Sequence, residues 1–158
     1  RVTDMYMNTN DSGWNKSFEM DEGLFWRTLV KGGQASWGWT TKDGSAVLAI
    51  VSPVCVNGDI YLTTIEGRAK TNRLLRDPRC TLTIHTDWGS VTAIGHVEFD
   101  KRPTMVAMFL EGLQERVFGG MHEESYIHFR HMNSPDRWTC KFIAEKYVTF
   151  DEEKFLAG

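Results

Sequence analysis

The stretch Gly67-Arg68-Ala69-Lys70-Thr71-Asn72-Arg73-Leu74-Leu75-Arg76-Asp77-Pro78-Arg79 lies between two runs of strand-forming residues, Ile60 to Ile65 before it and Cys80 to Ile84 after it. Both runs are rich in β-branched residues, so the sequence predicts a short helix between two strands. Pro78 disfavours helical geometry at Asp77 and supplies the stop. From Glu66 to Arg79 five cations (Arg68, Lys70, Arg73, Arg76, Arg79) meet two anions (Glu66, Asp77), a local surplus of three on a chain of net charge −3.

A helix that opens just after a strand and a glycine presents free backbone N–H groups and a partial positive charge. Arg68 and Lys70 stand in that first turn. Cations there oppose the helix dipole, so their placement is poor for stability alone and suits a bound anion such as a phosphate. On the same ground Lys70→Glu is expected to stabilise the free protein. The competing reading is a solvated basic helix face with no ligand.

Working outward, Asn57-Gly58 is a hairpin signal that joins Ile60 to Ile65 to the run Ala46 to Val56. That run is almost entirely apolar, as expected of a strand covered on both faces, and Pro53 marks an edge or a bulge within it. Asp43-Gly44 turns back to Ala35 to Thr40, where Ala35, Trp37 and Trp39 alternate with Ser36, Gly38 and Thr40. Upstream, Ser17 is the expected N-cap of a helix whose apolar face carries Phe18, Phe25 and Leu29 and which stops at Gly32-Gly33. Residues 1–16 read as a loose polar arm, leaving 17–158 as a single domain.

Downstream, Arg79 to Asp87 and Ser90 to Phe99 form a strand pair around Asp87-Trp88-Gly89, with Gly95 where a backbone needs to pass closely. Pro103 opens a helix whose Val106, Phe109, Leu110, Leu113 and Val117 follow a three-four period up to Gly119-Gly120. His122 to Met132 reads as a weaker helix, Ser134-Pro135-Asp136 as a turn and Arg137 to Phe150 as the last long strand. Six mostly antiparallel strands with helices set apart indicate an α+β domain whose sheet curls into a barrel.

Composition narrows the function classes. With 41% apolar and 25% charged residues the chain is ordinary globular material, and a pI near 6.0 argues against a general nucleic-acid binder. No apolar run approaches a membrane span and the N-terminus lacks a signal-peptide core, so the expectation is a cytoplasmic protein. Cys55, Cys80 and Cys140 have no metal-type spacing and read as reduced core thiols. His128 and His131 stand three apart but lack further ligands, so no metal is expected.

The order of these motifs resembles the pyridoxamine 5'-phosphate oxidase-like split β-barrel family. A strand ending in Asp-Gly, an apolar strand, a hairpin, "GRAKTNRLLRDPR" and two strands joined by a Trp-Gly turn carry the likeness, from about Trp37 to Phe99. Arg-x-Lys followed by Leu-x-x-Asp-Pro-Arg is most similar to the flavin- and deazaflavin-dependent reductase branch, some of whose members use coenzyme F420. The resemblance implies that Arg68 and Lys70 hold a cofactor phosphate, that Thr63 and Thr64 help, and that backbone at Ile50, Val51 and Ser52 faces a flavin-like ring. Many members place Asn directly before the first Leu of the helix; here Arg73 holds that position and Asn72 precedes it. A homodimer with the cofactor, FMN or F420, between subunits is implied as well.

Trp88, in a polar turn, is the candidate for a substrate-pocket residue. Trp37 and Trp39 at period two suit either core packing or ligand stacking. The expected activity is hydride transfer between the cofactor and a small unsaturated or quinone-like substrate, with no side chain singled out as acid or base. The alternative is a non-catalytic module of the same fold that carries flavin or haem.

Overall fold

The computed structural model describes residues 18–120 and 129–157. Residues 1–17, which include the expected arm and the expected cap Ser17, and residues 121–128 lie outside them. The elements run α1 (Glu22–Lys31), β1 (Ala35–Thr40), β2 (Ala46–Val51), β3 (Val54–Val56), β4 (Asp59–Ile65), α2 (Ala69–Arg76), β5 (Arg79–Thr86), β6 (Gly89–Asp100), α3 (Pro103–Phe118), a 3-10 turn at Arg130–Met132, β7 (Arg137–Asp151) and α4 (Glu152–Ala157). The domain is α+β, with one antiparallel sheet of seven strands rather than six. The difference arises at Ser52-Pro53, where the apolar run breaks into β2 and β3 because proline has no N–H for the ladder.

That break shapes the whole sheet. The strand order is β2-β1-β5-β6-β7-β4-β3, so two strands separated by only Ser52 and Pro53 occupy opposite edges. Three residue steps from Val51 to Val54 span at most about 11 Å. The sheet therefore has to curl until its edges nearly meet, and the barrel is split along the β2–β3 seam.

The concave face is filled by a row running across four strands, Trp37 beside Leu82, Ala93 and Tyr147, and by Ile60, Leu62, Cys140 and Phe142 from the other side. Helix α1 closes this core with Phe25 and Leu29. Its cap is Asp21, whose Oδ1 accepts from Leu24 N at 2.8 Å, so the helix starts at Glu22. Asp21→Ala is expected to cost about 1 kcal/mol in chemical denaturation, since it strips the cap and leaves the fold otherwise intact.

Gly95 is where β6 needs a bare backbone. The register with β7 slips between Ile94 and Gly95, and a Cβ at Gly95 would stand 1.9 Å from the Ile143 carbonyl oxygen. Asn57 and Gly58, both at positive φ, make the tight turn expected between β3 and β4. Helix α3, ended by Gly119 in the left-handed region, lays Val106, Phe109, Leu110 and Leu113 against Val54 and Phe129 in a second core.

One sequence expectation fails at β2. The strand is not covered on both faces within the protomer: Leu48 and Ile50 are 71% and 65% exposed on an edge strand. Strand β1 pairs with β2 along one edge only, and among the described residues the side chains of Leu48 and Ile50 remain uncovered. No helix among the described residues is long and apolar enough to cross a membrane.

Candidate functional site

Strand β4 alternates strictly, which sends its two threonines in opposite directions. Thr64 faces inward, is buried, and its hydroxyl meets that of Thr71 at 2.8 Å, while Thr71 also donates to Ile65 O. This pair pins the first turn of α2 onto the barrel end. Thr63 faces outward, donates to Trp138 O at 2.9 Å and accepts from Arg137 Nη1 at 3.3 Å.

Four of the five cations of the central stretch fall into two groups, and the fifth, Arg76, is exposed. Arg73 and Arg79 pair with Asp77 at 3.4 and 2.8 Å, and Arg73 Nε also donates to Thr40 O. These contacts hold the Asp77 carboxyl down at about 2, Arg79 being the chief cause. The solvated-face reading accounts for them.

Arg68 and Lys70 are placed differently. Neither has a carboxylate within ion-pair distance among the described residues. Arg68 is the exposed N-cap of α2 and gives the helix no side-chain cap. Lys70 is half-buried, with Nζ 4.7 Å from the centre of the Trp37 ring and 5.7 Å from that of Trp39. Trp37 itself is fully buried core.

A third cation joins them from β7. Arg137 stands opposite Ile65 in the β4–β7 ladder, and its Nε is buried without an acceptor. Burial lowers the Lys70 ammonium below its ordinary value, and Arg68 and Arg137 push it the same way. Arg137 is likewise lowered, by burial first and by Arg68 second. Arg68, Lys70 and Arg137 are thus close enough to repel one another, Asp136 acts on Arg137 the other way, and none of the three forms an ion pair among the described residues.

Beside this cluster opens a cleft of about 590 Å³, lined by Val51, Ser52, Thr63, Phe109, Arg116 and Phe129 among others. Thr63 belongs to both features, through its hydrogen bond with Arg137 and its place in the cleft wall. Val51, Ser52 and Thr63 thus share one cleft wall, and Thr63 alone links that wall to the cations, through Arg137. Ile50 lies next to Val51 on the same strand with its side chain exposed, which leaves its backbone free to face a ligand, and the Thr64 hydroxyl is committed to Thr71. A second cleft, of about 610 Å³, is lined by Trp39, Arg73, Asp77 and Arg79, where the cations already have their carboxylate.

Trp88 is placed elsewhere. Its indole Nε1 donates to Thr28 Oγ1 at 2.8 Å and Arg27 lies over its ring at 4.3 Å, so it locks the β5–β6 turn to α1 and lines none of the described clefts. The physical reason is the short turn, which folds the ring back onto the helix instead of outward. The cysteines sit among apolar neighbours, and burial pushes the Cys80 and Cys140 thiols up to about 11 and about 12. His128 lies outside the described residues, and among those residues no three His, Cys, Asp or Glu gather as a metal would require.

Arg137, Arg116 and Phe129 are site residues that sequence reading did not single out. Arg137 carried only a faint signal, a cation opening a long apolar strand after the Ser134-Pro135-Asp136 turn.

The fold has many solved counterparts. A conserved hypothetical protein from Mycobacterium tuberculosis superposes with a TM-score of 0.78 at 20% identity, over 89% of this chain and 91% of that one. A protein of the pyridoxinephosphate oxidase family from Clostridium acetobutylicum, related to a general stress protein, gives 0.60 at 16%, over 85% and 99%. The fold is that of the pyridoxamine 5'-phosphate oxidase-like split barrels. An F420 reductase shares it, with a TM-score of 0.61 at 16% identity over 77% of this chain and 94% of that one. A haem storage protein from Vibrio cholerae does too, at 10% identity, so the fold by itself does not choose a cofactor. No family model and no curated relative matches the sequence.

Proposed function

We propose that this chain binds a phosphorylated flavin-type cofactor, F420 or FMN, and transfers hydride between it and a small unsaturated or quinone-like substrate. The observation that carries the proposal is the unpaired cluster Arg68, Lys70 and Arg137, tied through Thr63 to the cleft wall. The residues fit such a group. Arg137 has a buried Nε lacking an acceptor, and the α2 N-terminus lacks a side-chain cap.

In this reading Arg68, Lys70 and Arg137 hold the phosphate, Thr63 orients Arg137, and Val51 and Ser52 border the ring. The cofactor supplies the hydride chemistry when bound. Phe109, Leu113 and Phe129 keep water from the cleft, which strengthens every electrostatic contact inside it. Titration of the purified protein with FMN and with F420, followed by absorption, tests the proposal. Saturable perturbation of one cofactor's spectrum, and its reoxidation by a panel of enones and quinones, is the expected result; binding of neither overturns it.

Leu48 and Ile50 on the bare edge of the sheet support a homodimer as the working form. Sedimentation should give a dimer at micromolar concentration, unchanged by reductant because the described cysteines are free. A double variant, Leu48→Lys with Ile50→Lys, should sediment as a monomer. A wild-type monomer with cofactor bound would remove the dimer from the proposal.

A further inference from the structure

Arg116 has a task beyond anything assigned to it above. It projects from α3 to the end of α1, where Nη1 donates to Leu29 O at 2.9 Å and Val30 O at 3.4 Å, and Nη2 to Gly33 O at 3.1 Å. Capping the last carbonyls of a helix is an ordinary structural role for arginine. It uses three of the five N–H donors of the guanidinium. Nε–H is buried with no acceptor, and one Nη2 hydrogen is uncommitted.

These two nitrogens share one edge of the planar group, the edge that matches the two oxygens of a carboxylate. Among the described residues no carboxylate pairs with Arg116. Leaving a buried charged donor unpaired is costly, so a helix cap alone explains half of what the side chain does.

The cleft completes the case. Its lining contains two cations, Arg116 and Lys31, and no Asp or Glu, while Arg116 also borders a neighbouring cleft of about 710 Å³ that holds Glu111 and Glu115. Around them the walls are mostly apolar, chiefly Val51, Phe109, Leu113, Phe129 and Met132, with Gln34, Ser52 and Thr63 as uncharged polar side chains. A volume of about 590 Å³ is in the range of small-molecule sites. We propose that this cleft takes a small apolar acid, a carboxylate on an aliphatic or aromatic body, whose oxygens accept from the uncommitted donors of Arg116. This deepens the proposed function by naming a substrate class for the same cleft, and it rests on that reading only for the use made of the ligand.

The test needs no cofactor, so it fails separately from the phosphate anchor. Cinnamate and its uncharged amide, cinnamamide, are titrated calorimetrically into the full chain at pH 7. Cinnamate is expected to bind at least about tenfold more tightly, the scale of one charge-assisted contact. Arg116→Gln should bring the two within about twofold of each other. Arg116 also caps α1, so Arg116→Lys, which keeps a cation and donors for the carbonyls, is the second variant; it should fold by circular dichroism yet lose most of the preference. Val117→Trp, at a half-exposed position of the wall, should weaken acid and amide alike by filling the cleft. Absence of cinnamate binding at millimolar concentration, equal affinity for acid and amide, or a preference that survives in Arg116→Gln or, if that variant does not fold, in Arg116→Lys would overturn the proposal.

Discussion

Lys70→Ala and Arg68→Ala are each expected to weaken binding of FMN or F420 by about ten to a hundredfold, and Lys70→Glu by more than either. A charge-assisted hydrogen bond is worth roughly 1.5 to 3 kcal/mol, and 1.4 kcal/mol is a factor of ten. Glutamate adds repulsion against the phosphate to the loss of a donor. Arg137→Ala should act as strongly, because it removes the cation that Thr63 holds toward the cleft wall.

Effects on the free protein separate the three positions. Arg68 is exposed and unpaired, so Arg68→Ala should leave stability unchanged. Lys70 lies over Trp37 and is half-buried, so Lys70→Ala should lose a contact worth about 0.5 to 1 kcal/mol. Helix-dipole reasoning from sequence expects Lys70→Glu to stabilise the free protein, and attraction to Arg68 and Arg137 acts in the same direction, against loss of the contact with the Trp37 ring. Equal affinities across wild type, Lys70→Ala and Lys70→Glu, for a cofactor that does bind, would take Lys70 out of the site.

The pH dependence has a definite direction. Burial, helped by Arg68 and Arg137, lowers the Lys70 ammonium below its ordinary value of 10.5. Affinity for the phosphate should thus fall as pH rises through that lowered value, earlier than an ordinary lysine would allow, and a bound anion should push it back up.

Phe109→Ala should produce the largest loss of stability, about 3 to 5 kcal/mol by chemical denaturation. The ring is 1% exposed and sits at the centre of the core formed with Val54, Val106, Leu110, Leu113 and Phe129. It also forms part of the cleft wall, so the same variant should weaken ligand binding at concentrations where it remains folded. A loss under about 1 kcal/mol would mean that α3 does not hold this face against the sheet.

Local chemistry was legible because its causes are local. Asn57-Gly58, Asp43-Gly44, the proline before Arg79 and the glycines after α1 and α3 act within a few residues, and their elements lie where the sequence places them. The three-four period of α3 likewise names its buried face. The cap of α1 is Asp21, one residue after Met20, whose N–H donates to Thr149 Oγ1 on β7, a contact with no local signature.

From the sequence alone came the α+β class, the basic turn at Arg68 and Lys70, and an irregularity at Pro53, each written in residues adjacent along the chain; that the irregularity is the seam of the barrel came from the structure. Tertiary structure decided the rest. It set Arg137 beside Thr63, 74 positions away, and left Arg73 and Arg79 to Asp77 while Arg68 and Lys70 went unpaired. It turned Trp88 onto α1 and brought Arg116 to α1 and the cleft wall. Strand register and the curl of the sheet fix which distant side chains share a face, and pairing between strands far apart in sequence has no local signature.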